Sequence, residues 1–324
     1  GYFDSFAYLV GNFLTNFKLR GADLKKLKSQ FTSKWFKKLF ENEADKRARA
    51  FIEIFEAIFI HYQQKLESEN RIDFEDMLLK GKKFINNQNI KFLIVDEFQD
   101  ISPLRAEVLK QIQNHNKNVQ LFVVGDDWQA IYGFSGGDIS IIVKNFEKYF
   151  GNRNKKDLGL TYRFNQRLCE LTSSFIQQNS NQLAKKIKGI KEYNDVPVEI
   201  IRQRDKSNFE VDFSLKINLL YNLDNIFRSD PNAKEILFLT RHNDYVYKNG
   251  YEDLKKYLHS IFKSKKKNIK FSTIHSAKGS EADYVFILNV SDGFLGFPST
   301  IEDDPLLKLA KYDSDKNSDD KEEK

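Results

Sequence analysis

A short apolar run, Phe92-Leu-Ile-Val95, ends in two adjacent acids, Asp96 and Glu97. A run of this kind predicts a buried parallel strand, because every side chain in it is apolar. In open α/β sheets, ligands bind where the carboxyl ends of the strands meet. One carboxylate at such an edge can hold Mg²⁺, and its neighbour can orient or deprotonate an attacking water. The alternative is a strand that ends in a solvated acidic turn.

A second apolar run, Leu121-Phe-Val-Val124, leads into a loop rich in glycine and aromatic residues, Gly125-Asp-Asp-Trp-Gln-Ala-Ile-Tyr-Gly-Phe-Ser-Gly-Gly-Asp138. We expect this loop to lie at the same sheet edge as the first acidic pair. Gln129 can hydrogen-bond a phosphate or a water while staying neutral. Tyr132 and Phe134 offer flat surfaces on which bases could stack. The alternative is that these aromatic residues fill the core beneath the loop.

The rest of the chain extends this pattern. Residues 1 to about 90 are predicted to be helical, and within 47–66 apolar side chains recur at helical spacing, namely Phe51, Ile54, Phe55, Ile58 and Tyr62. Downstream of Leu158 we predict a helix over 166–178 and strands over 196–201, 236–239 and 284–288. Alternating short strands and helices predict an α/β fold.

Composition narrows the class of protein. The chain has 324 residues and a net charge of +6, which favours about two domains and permits a nucleic-acid partner. No apolar run approaches the ~20 residues that cross a bilayer, so no membrane association is expected. A single cysteine, Cys169, excludes internal disulfides and cysteine-based zinc sites, and it favours a reducing, cytoplasmic compartment.

Two further stretches could carry chemistry. In Leu160-Thr-Tyr-Arg-Phe-Asn165, Tyr162 could stack on a purine and Arg163 could reach a terminal phosphate with its planar, charged fork. A second stretch, 271–283, brings His275 and Lys278 together in a compact basic loop that suits a phosphodiester backbone. A packed or solvated histidine and a solvated basic surface are the alternatives for this second stretch.

The chain contains four motifs in this order: Asp-Glu-Phe-Gln-Asp, Gly-Asp-Asp-Trp-Gln-Ala-Ile-Tyr, Thr-Tyr-Arg and Thr-Ile-His-Ser-Ala-Lys-Gly. Together they resemble the motifs of superfamily 1A DNA helicases of the UvrD/Rep type, most of all those of the helicase IV branch. The resemblance implies two incomplete RecA-like P-loop NTPase units with an N-terminal helical insertion. The implied parts are a helical 1B-like segment at 1–90, the C-terminal part of the first RecA-like domain at 91–157, the second RecA-like domain at 158–310, and a disordered tail at 311–324.

The same resemblance implies roles for five residues at a site for ATP and Mg²⁺. Asp96 would bind Mg²⁺, and Glu97 would activate the attacking water. Gln129 would sense the γ-phosphate. Tyr162 would stack on adenine, and Arg163 would neutralise charge on the transferring phosphoryl group.

Further positions match the family's ribose and DNA contacts. Glu281 would contact the ribose, although it follows Ser280 rather than the commoner leucine. The residues implied to face single-stranded DNA are Tyr132, Phe134, Arg241, Asn243, His275 and Lys278.

Two family motifs are missing from the sequence. It contains no Gly-x-x-x-x-Gly-Lys-[Ser/Thr], the loop that holds the β- and γ-phosphates, and no final arginine motif. We therefore expect a partial chain with little or no ATPase activity by itself. Only about thirty residues separate Arg241 from Phe271, which is too few for the large 2B insertion of many relatives.

The function implied by the resemblance is that of an ATP-dependent translocase or helicase. It would move 3′→5′ on single-stranded DNA, or on DNA with a single-stranded tail, in replication, repair or recombination. Two alternatives stay open: a non-catalytic DNA-binding remnant, and a helicase subunit of a recombination-repair nuclease complex.

Overall fold

The computed structural model describes residues 2–86, 89–179, 182–191, 198–201, 213–242, 251–262, 268–291, 293, 297, 300 and 304–311. These residues form two compact units. The first takes the described residues of 1–158, 173–186 and 303–324, and the second takes those of 159–172 and 187–302. Of the predicted tail at 311–324, Lys311 is the last residue of a helix, and 312–324 lie outside the described residues. The domain boundaries drawn from the family resemblance stay a prediction.

The first unit begins with helices, as predicted for residues up to about 90. They are α1 (Tyr2–Leu19), α2 (Leu24–Ser29), α3 (Lys34–Leu39), α4 (Glu43–Ser68) and α5 (Phe74–Gly81). Acidic residues in the first turn of α4 favour its start, since the helix dipole attracts negative charge there. Three of these starts are capped by side-chain oxygens, from Asp23, Ser33 and Asp73.

An aromatic core joins α1 to α4. Phe13 packs edge-to-face on Phe55 with ring centroids 4.5 Å apart, and Phe17 does so at 5.3 Å. The prediction of a helix over 47–66 is confirmed, but the predicted apolar stripe is partly wrong. Ile54 and Ile58 are exposed, because α4 turns the side of Ala48, Phe51, Ile52 and Phe55 toward α1.

The α/β part of the first unit follows. Strands β1 (Phe92–Val95) and β2 (Gln120–Val123) pair in parallel, with Val95 opposite Val123. Around them lie α6 (Pro103–His115), α7 (Ser140–Val143) and α8 (Phe146–Phe150). Both strands lie where the sequence predicts strands.

The described residues cover only one face of this two-stranded sheet, so the prediction of a buried strand is wrong for the exposed side chains of the other face. Val95 and Val123 pack against a core built around Phe98. The opposite face leaves Phe92, Ile94 and Phe122 exposed over 66%, 71% and 62% of their surfaces.

The second unit contains two parallel sheets. Strand β3 (Leu160–Asn165) pairs with β4 (Lys188–Lys191), and β5 (Glu235–Thr240) lies between β6 (Asn268–Thr273) and β7 (Tyr284–Ile287). The helices are α9 (Gln166–Ile176), which carries the chain from the second unit into the first, α10 (Phe213–Ser229) and α11 (Tyr251–Phe262).

The predicted strands at 236–239 and 284–288 and the helix at 166–178 are confirmed within one or two residues. The predicted strand at 196–201 is wrong over its described part, since 198–201 form no strand, and 196–197 lie outside the described residues. A last helix, α12 (Pro305–Lys311), packs in the first unit, where Leu306 and Leu309 join the core of α1 and α4. None of the described helices is long and apolar enough to cross a membrane.

The mixed helices and small parallel sheets agree with the predicted α/β, RecA-like class. Several predicted functional residues follow the carboxyl ends of strands, namely Asp96, Glu97, Gln129, Arg241, His275 and Lys278, whereas Tyr162 and Arg163 lie within β3.

Candidate functional site

The first acidic pair lies at the carboxyl end of β1, as predicted. Both side chains are exposed. The Asp96 Oδ1 atom accepts a hydrogen bond from the backbone N–H of Glu97 at 2.8 Å, which fixes the turn. Glu97 has a left-handed backbone, with φ +50° and ψ +41°. A non-glycine residue in this region stores strain, and such strain is concentrated at functional sites.

Gln99 connects the acidic pair to the second motif, and the sequence analysis did not single it out. Its side chain is buried, its Nε2 donates to the Glu97 carboxylate, and its Oε1 accepts from the backbone N–H of Asp126 at 2.9 Å. A Cβ at Gly125 would come within 2.9 Å of that same Oε1 atom. The glycine is therefore required by the close approach of the two loops. The predicted shared sheet edge is confirmed.

The loop after β2 is held by a compact charged network. Gln129 is exposed, and its Nε2 donates to Asp126 Oδ2 at 2.7 Å. The Lys185 ammonium pairs with both Asp126 and the buried Asp127. Burial alone would raise the pKa of Asp126, but its hydrogen bonds from Lys185 and Gln129 outweigh burial and hold that pKa below its usual range.

The sequence left open whether the aromatic residues of this loop are exposed for stacking or packed beneath it, and the two differ in the structure. Phe134 is 55% exposed, whereas Tyr132 is half-buried and meets Phe134 edge-to-face at 6.1 Å. Helix α1 supports this loop, since Asn16 Nδ2 lies 3.5 Å from the Phe134 carbonyl oxygen. Gly136 has φ +90°, and a Cβ there would come within 2.3 Å of the Leu19 side chain.

In the second unit, β3 presents Tyr162 and Arg163. The Tyr162 side chain is 69% exposed, which leaves a ring face open for stacking. Arg163 Nε lies 3.7 Å from Glu281 Oε2, and both side chains are at least half exposed. A solvent-exposed pair of this kind contributes only about 0–1 kcal/mol, so Arg163 can leave Glu281 readily for a stronger anion. The structure thus brings together two residues that the sequence predicts for the nucleotide site.

The carboxyl ends of β5 and β6 bring together Arg241 and His275. Arg241 Nη1 donates to His275 Nδ1 at 3.3 Å, which requires a neutral imidazole. Burial lowers the pKa of His275, and the positive charges of Arg241 and His242 lower it further. Lys278 follows in the same turn, ahead of Gly279 with φ +80°. Asn243, which the sequence also predicts here, lies outside the described residues.

The residues present suit Mg²⁺ bound together with a triphosphate. Mg²⁺ keeps several waters and takes one or two carboxylates plus phosphate oxygens, and Asp96 offers one exposed carboxylate. Across the described part of the chain, no group of three or more His, Cys, Asp or Glu side chains could hold a metal unaided. A metal at Asp96 would therefore depend on its phosphate and water ligands.

Sequence comparison identifies the family. Residues 9–150 match the UvrD/REP helicase N-terminal domain, and residues 251–324 match the UvrD-like helicase C-terminal domain. These two matches together cover about two thirds of the chain.

Individual relatives agree with this assignment. The chain is 36% identical to DNA helicase IV of Escherichia coli (strain K12) over 72% of its own length and 32% of that protein. It is 30% identical to ATP-dependent DNA helicase Rep of Buchnera aphidicola subsp. Baizongia pistaciae over 55% of the chain and 28% of the relative. It is 29% identical to ATP-dependent DNA helicase PcrA of Bacillus subtilis (strain 168) over 47% of the chain and 21% of the relative.

The chain spans about a third or less of the length of these relatives. Both family domains are nevertheless matched in the expected order, and the acidic pair and the Gln129 loop follow the ends of β1 and β2 as predicted. The chain belongs to the UvrD/Rep family of helicases.

Proposed function

We propose that this chain forms the ATP-binding and DNA-binding part of an ATP-dependent DNA helicase. The observation that supports this most is the link between the two loops at the β1–β2 edge, where Gln99 joins Glu97 to Asp126. A water-activating carboxylate and a residue that reads the γ-phosphate must act in concert, and this link connects their loops directly. The relatives named above are DNA helicases by name.

In this proposal Asp96 holds Mg²⁺, which neutralises phosphate charge during hydrolysis. Glu97 orients the attacking water, and Gln129 hydrogen-bonds the γ-phosphate. In the second unit, Tyr162 stacks on the base and Arg163 pairs with phosphate, while Glu281 takes the ribose once Arg163 has left it. The chain as printed has no phosphate-binding loop sequence, so we expect no steady ATP turnover from these 324 residues alone.

The DNA-facing surface would use Phe134 in the first unit and Arg241, His275 and Lys278 in the second. Phe134 and Tyr132 would contact bases, and the basic group would contact phosphates. Translocation from 3′ to 5′ is the direction that the family resemblance implies. We leave Asn243 in this proposal on the same basis.

Binding to a fluorescent single-stranded oligonucleotide, followed by anisotropy over a series of salt concentrations, tests this proposal. Lys278→Ala should weaken binding and reduce the salt slope by about one, because one phosphate contact is lost. Phe134→Ala should weaken binding by about 1–3 kcal/mol with the salt slope unchanged.

Two matched controls accompany this test. Lys234 precedes β5, at the opposite end of the strand from Arg241, and Phe175 is an exposed phenylalanine on α9. Lys234→Ala and Phe175→Ala should bind like the unchanged chain. Equal binding by all four variants would contradict the assigned surface. No binding by the unchanged chain would favour another role altogether.

A further inference from the structure

The segment 182–186, which follows α9, packs against the loop that carries Gln129, and both belong to the first unit. The Leu183 backbone N–H donates to Asp127 Oδ2 at 2.7 Å. In return, the Trp128 Nε1–H donates to the Leu183 carbonyl oxygen at 3.0 Å. These reciprocal bonds fix the segment and the loop against each other.

Lys185 forms the charged centre of this contact. Its side chain is 17% exposed, its Nζ lies 2.5 Å from Asp126 Oδ1, and it also pairs with Asp127, whose side chain is 1% exposed. The same ammonium lies 5.2 Å from the centroid of the Trp128 ring. A carboxylate as buried as that of Asp127 needs a charged partner, because an unpaired buried charge is strongly destabilising.

The two oxygens of Asp126 transmit the position of Lys185 to Gln129. Oδ1 takes the Lys185 ammonium, and Oδ2 takes the Gln129 side-chain amide at 2.7 Å. The carboxylate of Asp126 is rigid, so the ammonium bound to its Oδ1 fixes the position of its Oδ2. The position of Oδ2 in turn determines where the Gln129 amide can lie. Lys185 is separated from Gln129 by this single side chain.

We infer that Lys185 is a positioning residue for Gln129, acting through Asp126 and Asp127. This inference rests on the proposed function, in which Gln129 reads the γ-phosphate. It also connects two functional residues along the chain. Residues 160–186 begin with β3, which carries Arg163, continue through α9 and end with the segment that carries Lys185. The residue that meets the phosphate and the residue that aims Gln129 thus belong to one piece of polypeptide.

The test uses the 324-residue chain and observes Gln129 directly. The side-chain amide resonances of Gln129, assigned as those lost in Gln129→Met, should shift in Lys185→Met. They should stay in place in Lys186→Met, since Lys186 is an exposed neighbour. Lys185→Arg, which keeps the charge, should restore resonances near their original positions.

A pH profile separates positioning from a purely structural role. The charged groups in contact are Asp126, Asp127 and Lys185, and as the pH falls the Gln129 resonances should move when Asp126 takes up a proton. Loss of the ammonium should shift that transition to higher pH, because an opposite charge no longer favours the carboxylate. Lys185→Arg should leave the transition where it is.

A second reporter covers the case in which Lys185→Met fails to fold. The chain has two tryptophans, so Trp35→Phe leaves Trp128 as the only tryptophan, whose emission is excited selectively at wavelengths that tyrosine does not absorb. In that background Asp126→Asn should raise acrylamide quenching of Trp128 at least about twofold, since a released loop admits the quencher. Lys186→Met should not change the quenching.

The inference is overturned if the folded Lys185 and Asp126 variants match Lys186→Met in both readouts. None of these measurements uses nucleotide or DNA. Failure to bind DNA would therefore contradict the proposed function without changing the measured positioning of Gln129 by Lys185, and failure of the positioning tests would leave the result on DNA binding unchanged.

Discussion

The residue that best shows how sequence and structure meet at this site is Gly125. It is the first residue of the Gly-Asp-Asp motif that follows β2, and it faces Gln99, whose Oε1 and backbone N would lie 2.9 Å and 3.1 Å from an added Cβ. The Gln99 side chain is fixed by hydrogen bonds, because its Oε1 accepts from the backbone N–H of Asp126 and its Nε2 donates to Glu97. A larger side chain at position 125 therefore cannot be accommodated unless the loop after β1 or the loop after β2 moves.

Gly125→Ala should therefore lower the free energy of unfolding by about 1–3 kcal/mol, as overpacking against a fixed neighbour does. Gly133→Ala is the matched control, since an added Cβ there meets nothing within 4 Å. Chemical denaturation followed by circular dichroism measures both changes. Equal stability of the two variants would contradict the close packing of the loops.

His275 should make the stability of the chain depend on pH. Burial and the nearby Arg241 and His242 lower its pKa in the folded state, so the unfolded chain binds the proton more readily. The stabilisation is present above the unfolded value of about 6.5 and is lost as the pH falls through the lower folded value. The thermal midpoint of the second unit should fall over this range.

His275→Asn should flatten that pH dependence, because asparagine has no proton to gain. His259→Asn, on α11, should leave the dependence as it is in the unchanged chain. Melting curves measured at several pH values between mild acid and neutrality make the comparison. An unchanged slope in His275→Asn would show that another group titrates.

At the scale of elements, strand positions and loop edges could be predicted from the sequence. The run at 92–95 is apolar and ends in acids, and the structure places a strand there with both acids at its carboxyl end. The pairing of Glu97 with Gln99, and of Lys185 with Asp126, could not be predicted. Gln99 lies inside the motif without a pattern of its own, and Lys185 is one lysine in a lysine-rich stretch.

Burial was the weakest part of the prediction at this scale. Periodicity identified α4 but not which of its apolar sides meets α1, and Ile54 and Ile58 proved to be exposed. Hydrophobicity likewise identified β1 and β2 but not that one sheet face stays open. Which face is covered depends on partners distant in sequence, and no local pattern encodes them.

The open face of β1 and β2 should make the chain self-associate, because contiguous exposed apolar side chains favour contacts between molecules. Phe122→Glu places a charge in the middle of this face and should reduce concentration-dependent association in sedimentation experiments. Phe175→Glu alters a phenylalanine that is 74% exposed on α9 and should have little effect. Equal association of both variants would mean that the sheet face is not the contact.

At the scale of the whole molecule, family membership came from the order of the motifs rather than from any one of them. A net charge of +6 and an α/β pattern are compatible with many functions. The ordered motifs, in contrast, are specific to one family, and the matched family domains agree with them. The structure adds that the chain leaves the second unit through α9 and returns Lys185 to the first, which no continuous domain division would anticipate.

The proposed function requires that Asp96 bind a divalent metal together with ATP. Mn²⁺ can replace Mg²⁺, and its binding to the 324-residue chain in the presence of ATP can be followed by electron paramagnetic resonance. Asp96→Asn should weaken the nucleotide-dependent Mn²⁺ binding several-fold, whereas Asp157→Asn, at another exposed aspartate, should leave it unchanged. Nucleotide-dependent binding that is equally strong in the Asp96 and Asp157 variants would contradict a metal site at Asp96.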